Sequence, residues 1–125
     1  MAYYLITFLF QTYPFPQGAA YRASLEYTGE LLDEGHWILI FPEGEISGTD
    51  DINRFRSGIY VIAEKTGVPV YPVRIKGMRH ILPPGKRVPR RGKVDVYFGK
   101  PFFHTGYNRE EFTSVVEKTV RGLSE

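Results

Sequence analysis

A glutamate between a proline and a glycine is the side chain of this sequence best placed to do chemistry. Residues 37–41, ending in Phe41, form a short apolar run typical of a buried parallel strand. Pro42 cannot donate to a strand ladder and Gly44 permits backbone angles closed to other residues, so the strand is predicted to end here. Open α/β sheets bind ligands at the carboxyl ends of their strands. Glu43 is therefore predicted to lie at such a site, where a carboxylate can accept a hydrogen bond from a substrate hydroxyl or hold a neighbouring donor in place. The alternative is a carboxylate that only ties down its own loop through backbone amides.

A run of cations is the second feature with chemical consequences. Eight basic residues and no acidic one lie between Arg74 and Lys93, although the net charge of the chain is only +2. Prolines break regular structure in this stretch, so one interpretation is a solvated loop. The other is a surface for anionic lipid headgroups or phosphates. Nucleic acid is not expected as a partner, because the aromatic residues lie outside this stretch and leave no stacking platform.

Composition and spacing exclude several kinds of site. The chain has no cysteine, which rules out thiol nucleophiles, disulfides and thiolate metal sites. It contains neither a Gly-x-Ser-x-Gly nucleophile elbow nor a Gly-x-x-x-x-Gly-Lys phosphate loop. Asp50 and Asp51 lie in a polar loop and are interpreted as turn or cap residues. We therefore predict no metal and no bound cofactor.

The elements that must position these residues indicate one α/β domain spanning residues 1–125. A chain of 125 residues with 42% apolar residues is large enough to bury a core. Alternating strand and helix patterns predict a single layer-packed domain with a mixed, mostly parallel sheet flanked by helices. Residues 93–98 alternate apolar and polar, which predicts a strand with one solvent face. The predicted helices cover residues 19–34, 55–66 and 108–123, and the predicted strands cover residues 12–15, 37–41, 70–75 and 93–98.

No signal peptide or membrane span is predicted. Residues 1–10 are apolar but lack a basic leader and a small-residue cleavage site. No apolar stretch approaches the ~18–20 residues that a spanning helix needs. Residues 1–10 are therefore expected to form a buried or an interfacial element.

Several motifs, in order, resemble the conserved blocks of the glycerolipid and lysophospholipid acyltransferases, the family that forms phosphatidic acid. The family's third block resembles Phe41-Pro42-Glu43-Gly44-Glu45-Ile46-Ser47, and the basic element after it resembles Phe55-Arg56-Ser57-Gly58. The fourth block is similar to Val68-Pro69-Val70-Tyr71-Pro72-Val73, and the end of the second block to Phe15-Pro16-Gln17. The resemblance implies the fold of a partial glycerolipid acyltransferase domain.

The resemblance also implies roles for individual residues. The residues implied in binding the acceptor or its phosphate are Gln17, Glu43, Gly44, Ser47 and Arg56. For Arg56 the alternative is a surface ion pair with Asp50 or Asp51. Gln17 and Ile46 stand where the family has arginines, which suggests an acceptor less anionic than lysophosphatidic acid, such as lysophosphatidylethanolamine.

The catalytic pair of that family, His-x-x-x-x-Asp, is not found here. The positions five residues beyond His36, His80 and His104 hold Phe41, Gly85 and Arg109. No catalytic residue is therefore assigned, and the histidines are expected to have structural or solvent roles. Loss of a general base costs roughly 10²–10⁴ in rate. We expect the chain to correspond to the carboxyl-terminal part of such a domain and to transfer acyl groups poorly or not at all by itself.

The activity implied by the resemblance is transfer of a fatty acyl group from a thioester to a hydroxyl of a lysophospholipid or glycerol phosphate. The thioester would be acyl-CoA or acyl-carrier protein, and the domain would contact an anionic membrane peripherally on its cytoplasmic side. One alternative is a non-catalytic module that binds anionic lipid or a partner, which would keep the basic run without the base. A further alternative is a truncated reading frame with no separate task.

Overall fold

The computed structural model describes residues 11–13, 21–45, 49 and 51–124. Residues 1–10, predicted to be buried or interfacial, lie outside that range. The chain divides into two compact units, Met1–Ile38 and Leu39–Glu125. In chain order the elements are α1 (Tyr21–Asp33), α2 (Gly58–Thr66), β1 (Val73–Lys76), α3 (Met78–Ile81), β2 (Asp95–Phe98) and α4 (Arg109–Gly122).

Helix α1, in the first unit, ends where the sequence predicts. Gly35 adopts a left-handed φ of 86°. Its N–H donates to the Leu32 carbonyl at 3.0 Å, and the His36 N–H donates to the Leu31 carbonyl at 2.9 Å. These two bonds form a Schellman motif, which satisfies carbonyls left open at a helix end. The predicted helix over residues 19–34 is confirmed over its described part.

Helices α2 and α4 build the core of the second unit. Its buried apolar side chains are Phe55, Ile59, Ala63, Phe112, Val116 and Val120. Helix α2 ends at Gly67, which has a left-handed φ of 68°. Helix α4 begins with a capping box in which the side chains of Asn108 and Glu111 each accept the other residue's N–H. The helices predicted over residues 55–66 and 108–123 are confirmed, with starts at Gly58 and Arg109.

The sheet in the described part of the chain consists of β1 and β2, paired antiparallel with Val73 opposite Phe98. The predicted mixed, mostly parallel sheet is therefore not confirmed. The connection between the strands returns to its start, because a Cβ at Gly77 would lie only 2.2 Å from the Lys93 carbonyl oxygen. Strands joined by such a connection run in opposite directions. Strand β1 starts later than predicted, at Val73, since Pro72 has no N–H to donate.

The two strands turn their polar face toward the rest of the second unit. The Arg74 guanidinium donates to the carbonyls of Arg121 and Leu123 at the end of α4, where the helix dipole favours a cation. On the opposite face the exposed fractions are 41% for Ile75, 46% for Val96 and 75% for Phe98. Strand 93–98 thus has the predicted solvent face, but that face carries the apolar residues.

The prediction of a buried strand over residues 37–41 is wrong. The segment contains no strand, and Trp37, Leu39 and Phe41 are 79%, 70% and 67% exposed. A strand needs a neighbouring ladder, and no strand in the described ranges pairs with this segment. Thr12 and Tyr13, the described part of the strand predicted over residues 12–15, are not in a strand either.

Candidate functional site

The Pro-Glu-Gly segment forms a tight turn in the second unit. The Gly44 N–H approaches the Phe41 carbonyl at 3.3 Å, and the Pro42 carbonyl accepts the Arg56 N–H at 2.9 Å. Gly44 has a left-handed φ of 71°. The turn therefore lies directly against the backbone of Arg56.

Glu43 holds the loop that follows this turn. One carboxylate oxygen, Oε2, accepts the Asn53 N–H at 2.6 Å. The side chain is half-buried, and the other oxygen accepts no hydrogen bond from the described part of the chain. A charge-assisted bond of this kind contributes about 1.5 to 3 kcal/mol. Glu43 thus makes the contact expected of a carboxylate that ties down its own loop through a backbone amide, and its role in binding the acceptor stays a prediction.

The Arg56 side chain lies over Gly44. A Cβ at Gly44 would come within 2.7 Å of Arg56 Nε and 2.9 Å of its Cζ. Arg56 is exposed, and no carboxylate in the described ranges pairs with it; Asp51, a predicted alternative partner, binds Arg121 instead. The left-handed φ therefore favours glycine at this position, and a side chain there would have to displace the Arg56 guanidinium.

Two residues of α4 fix the same loop from the other side, and sequence reasoning missed both. Arg121 donates to the Asp51 carboxylate at 3.0 Å and to the Ile52 carbonyl. Glu117 accepts Arg121 Nε at 3.1 Å and the Phe55 N–H at 2.9 Å. The only signal was a glutamate and an arginine four residues apart on a helix face. Nothing in that spacing points to a loop 62 residues away.

The electrostatics of this network favour an ionised Glu117. The hydrogen bond from the Phe55 N–H holds the pKa of Glu117 below its ordinary value; burial opposes the shift, and Arg121 adds to it. The carboxylate is consequently charged at neutral pH and can keep both donors.

Ser47 and Gln17, the remaining predicted binding residues, lie outside the described residues, so their roles stay predictions. The structure therefore brings together Glu43, Gly44 and Arg56.

The three histidines occupy separate settings. His36 is exposed and lies 3.5 Å from the Glu34 carboxylate, and His80 is exposed in the one-turn helix α3. His104 packs edge-on against Tyr60, with ring centroids 6.2 Å apart, and its buried Nδ1 has no partner in the described part of the chain. No cluster of three or more potential metal ligands occurs among the described residues.

A polar cavity of about 630 Å³ opens beside the α4 network. Its lining includes Arg54, Phe55, Glu117 and Lys118, but none of Glu43, Gly44 or Arg56. The predicted site is thus an open surface of the second unit rather than this cavity. A guanidinium and a carboxylate oxygen at one turn are suited to hold a phosphate and a hydroxyl.

Comparison with known proteins gives a consistent set of relatives. The family described as Acyltransferase matches residues 8–76. The chloroplast 1-acyl-sn-glycerol-3-phosphate acyltransferase BAT2 of Brassica napus is 37% identical over 75 residues, covering 59% of this chain and 22% of that protein. A probable 1-acyl-sn-glycerol-3-phosphate acyltransferase of Mycoplasma pneumoniae is 28% identical over 110 residues, covering 82% of this chain and 41% of that protein.

A solved structure is similar as well. The crystal structure of the 1-acyl-sn-glycerophosphate (LPA) acyltransferase PlsC from Thermotoga maritima superposes with a TM-score of 0.71 at 36% identity. The match covers 78% of this chain and 41% of that chain. The chain thus spans 22% to 41% of the length of these relatives. Helix α4, with Glu117 and Arg121, lies beyond the segment that the family description matches. None of the described helices has the length and apolar character needed to cross a bilayer.

Proposed function

Because the chain belongs to the acyltransferase family, we propose that it forms the acceptor-binding part of a domain that acylates a lysophospholipid or a glycerol phosphate. In this reaction the acceptor hydroxyl oxygen bonds to the acyl carbon of a thioester, and the thiol leaves. The donor is acyl-CoA or acyl-carrier protein. Support comes from the relatives, which are named as acyltransferases for 1-acyl-sn-glycerol-3-phosphate.

The observation that carries the proposal is that Glu43 and Arg56 both lie at one glycine turn, with the Arg56 side chain over Gly44. The exposed guanidinium grips a phosphate through paired donors. The carboxylate oxygen of Glu43 that makes no bond to the described chain accepts a hydrogen bond from the acceptor. Asn53 on the other oxygen keeps the carboxylate in position.

The proposal assigns no general base to residues 1–125, because no His-x-x-x-x-Asp occurs among them. A histidine near neutral pKa is the usual proton acceptor for such a hydroxyl.

In the same proposal, β1 and β2 belong to the larger mixed, mostly parallel sheet of a complete domain. The domain works peripherally at an anionic membrane, on its cytoplasmic side, where its lipid acceptor resides.

The acceptor headgroup is the finer part of the proposal. Gln17 and Ile46 supply no positive charge where the family has arginines. We propose that Arg56 is the main cation for the phosphate, so that a less anionic headgroup such as that of lysophosphatidylethanolamine is tolerated.

The test is equilibrium binding of short-chain lysophosphatidic acid, below its micelle concentration, followed by the NMR shifts of the Gly44, Asn53 and Arg56 amides. Arg56→Gln is expected to weaken binding roughly ten- to hundredfold, since it removes a charged hydrogen-bond donor. Lys65→Gln, an exposed residue of α2, changes the net charge equally and should leave affinity within twofold. Equal affinity of the Arg56→Gln protein and the parent would overturn the assignment. A parallel titration with lysophosphatidylethanolamine tests the headgroup, and binding of lysophosphatidic acid alone would count against the relaxed preference.

The second candidate, a non-catalytic module for anionic lipid or a partner, is favoured by the basic run between Arg74 and Lys93. Both candidates bind lipid, but only the first predicts that lysolipid shifts the amides around Gly44. Shifts confined to the basic run would favour the module.

A further inference from the structure

The segment that joins β1 to β2, residues 77–93 and here called the basic loop, has a defined backbone. The Arg90 N–H donates to the Ile81 carbonyl at 2.7 Å, and the Lys86 N–H donates to the Pro83 carbonyl at 3.0 Å. At its base, Gly77 approaches the Lys93 carbonyl so closely that a Cβ would not fit. The loop is therefore a folded projection that presents a fixed set of side chains.

Four cations of this loop have no counter-charge among the described residues. No acidic residue occurs between residues 77 and 93. Lys93 pairs with Asp95 at 2.9 Å, whereas Lys86, Arg87, Arg90 and Arg91 are exposed and form no ion pair with any described residue. Like charges held this close repel one another, and an anionic surface relieves that repulsion.

Apolar side chains are interspersed with these cations. Met78 is 52% exposed, Leu82 45% and Val88 76%. A soluble polyanion gains nothing from such groups, but a bilayer does, since interfacial segments place apolar residues at the acyl boundary and cations among the headgroups. The combination therefore favours a lipid surface over nucleic acid or an acidic polypeptide.

We propose that the basic loop binds anionic phospholipid bilayers. Lys86, Arg87, Arg90 and Arg91 contact the headgroups, and Leu82 and Val88 enter the boundary with the acyl chains. This proposal rests on the proposed function in one respect: it assigns the membrane contact proposed there to the basic loop. It does not involve Glu43 or Arg56.

The test is co-sedimentation of the full chain with vesicles of phosphatidylcholine alone or with about one third phosphatidylglycerol, in the absence of acyl substrates. Binding is expected only with phosphatidylglycerol and is expected to fall steeply when salt shortens the screening length. The double variant Lys86→Gln/Arg87→Gln should weaken binding roughly thirtyfold, about fivefold for each charge. The matched variant Lys65→Gln/Lys118→Gln removes two exposed lysines outside the loop and should change binding less than twofold.

A second pair of variants separates lipid from other polyanions. Leu82→Ser and Val88→Ser should each weaken vesicle binding several-fold while leaving its salt dependence unchanged, because they remove apolar contact only. Equal binding to phosphatidylcholine vesicles would overturn the proposal, as would equal loss in the matched variant. The proposal would also be overturned if polyglutamate or a single-stranded oligonucleotide bound as tightly as vesicles do and if Val88→Ser left that binding unchanged. Because no lysolipid acceptor is present and no residue of the glycine turn is changed, these results stand apart from the outcome for Arg56.

Discussion

At the scale of residues, two carboxylates are used in the same way on the loop of residues 51–56, the site loop. Glu43 accepts the Asn53 N–H at 2.6 Å, and Glu117 accepts the Phe55 N–H at 2.9 Å. Together with Arg121, which binds Asp51, they hold the loop at both ends. Arg56 follows directly after the second anchored amide. The position of the guanidinium thus depends on a helix outside the matched family segment.

The contribution of Glu117 can be measured by substitution. Glu117→Gln weakens the bonds to Phe55 and Arg121 and is expected to lower the free energy of unfolding by about 1 to 3 kcal/mol at pH 7. Because the folded-state pKa lies below the ordinary 4.5, the contribution is full above that value and disappears as the pH falls through the lowered folded pKa. Urea unfolding of both proteins across pH measures this. Glu26→Gln, at an exposed position of α1, should have almost no effect, and a Glu117→Gln deficit that persists in acid would contradict the argument.

Substitution of Gly44 can show whether the space above this residue matters for binding, apart from the backbone strain that the substitution causes. Gly44→Ala is expected to cost about 1 to 2 kcal/mol of stability through its left-handed φ. It should also displace the Arg56 side chain and weaken lysophosphatidic acid binding about tenfold. Gly106 also has a left-handed φ, of 89°, but a Cβ added there would meet no atom within 4 Å. The Gly106→Ala protein should therefore lose stability without losing affinity for lysophosphatidic acid. Equal affinity in the two variants would show that Arg56 does not use the space above Gly44.

At the scale of elements, the three long helices were predicted well, whereas of the predicted strands only those that became β1 and β2 are found among the described residues, with later starts. Helix ends depend on nearby residues, such as Gly35 after α1 and the Asn108 capping box before α4. A strand depends on a partner distant in sequence, and the apolar run over residues 37–41 has none among the described strands. The face that β2 buries was likewise decided by Arg74, which binds the end of α4. Apolar alternation alone carries no information about that contact.

The open apolar face of β1 and β2 makes a direct prediction. Phe98 is 75% exposed, whereas Phe112 of α4 is fully buried in the core that α4 forms with α2. Phe98→Ser should change the free energy of unfolding by less than about 0.5 kcal/mol, and Phe112→Ala should lower it by about 3 to 5 kcal/mol. Urea unfolding compares the two. A loss above 2 kcal/mol for Phe98→Ser would mean that this face is covered in solution.

At the scale of the whole molecule, the predictable part of the site is the part that lies in a short motif. Glu43, Gly44 and Arg56 are separated by few residues, so their proximity follows from one turn and one loop. Glu117 and Arg121 reach that loop only through packing of α4 on α2, which no local pattern encodes. The sequence therefore indicated which groups lie together at the glycine turn but not which residues of α4 hold the adjoining loop.

The same reasoning sets the activity expected of the chain. In the proposed function, residues 1–125 supply acceptor contacts but contain no His-x-x-x-x-Asp. Acyl transfer from acyl-CoA to lysophosphatidic acid should therefore run roughly 10²- to 10⁴-fold slower than in Thermotoga maritima PlsC assayed alongside. The residual rate would come from positioning of the two substrates alone. Turnover at the PlsC rate would mean that another group removes the hydroxyl proton. Substitution of His36, His80 and His104 by glutamine, one at a time, would then identify it, with His104 first because its Nδ1 has no described partner.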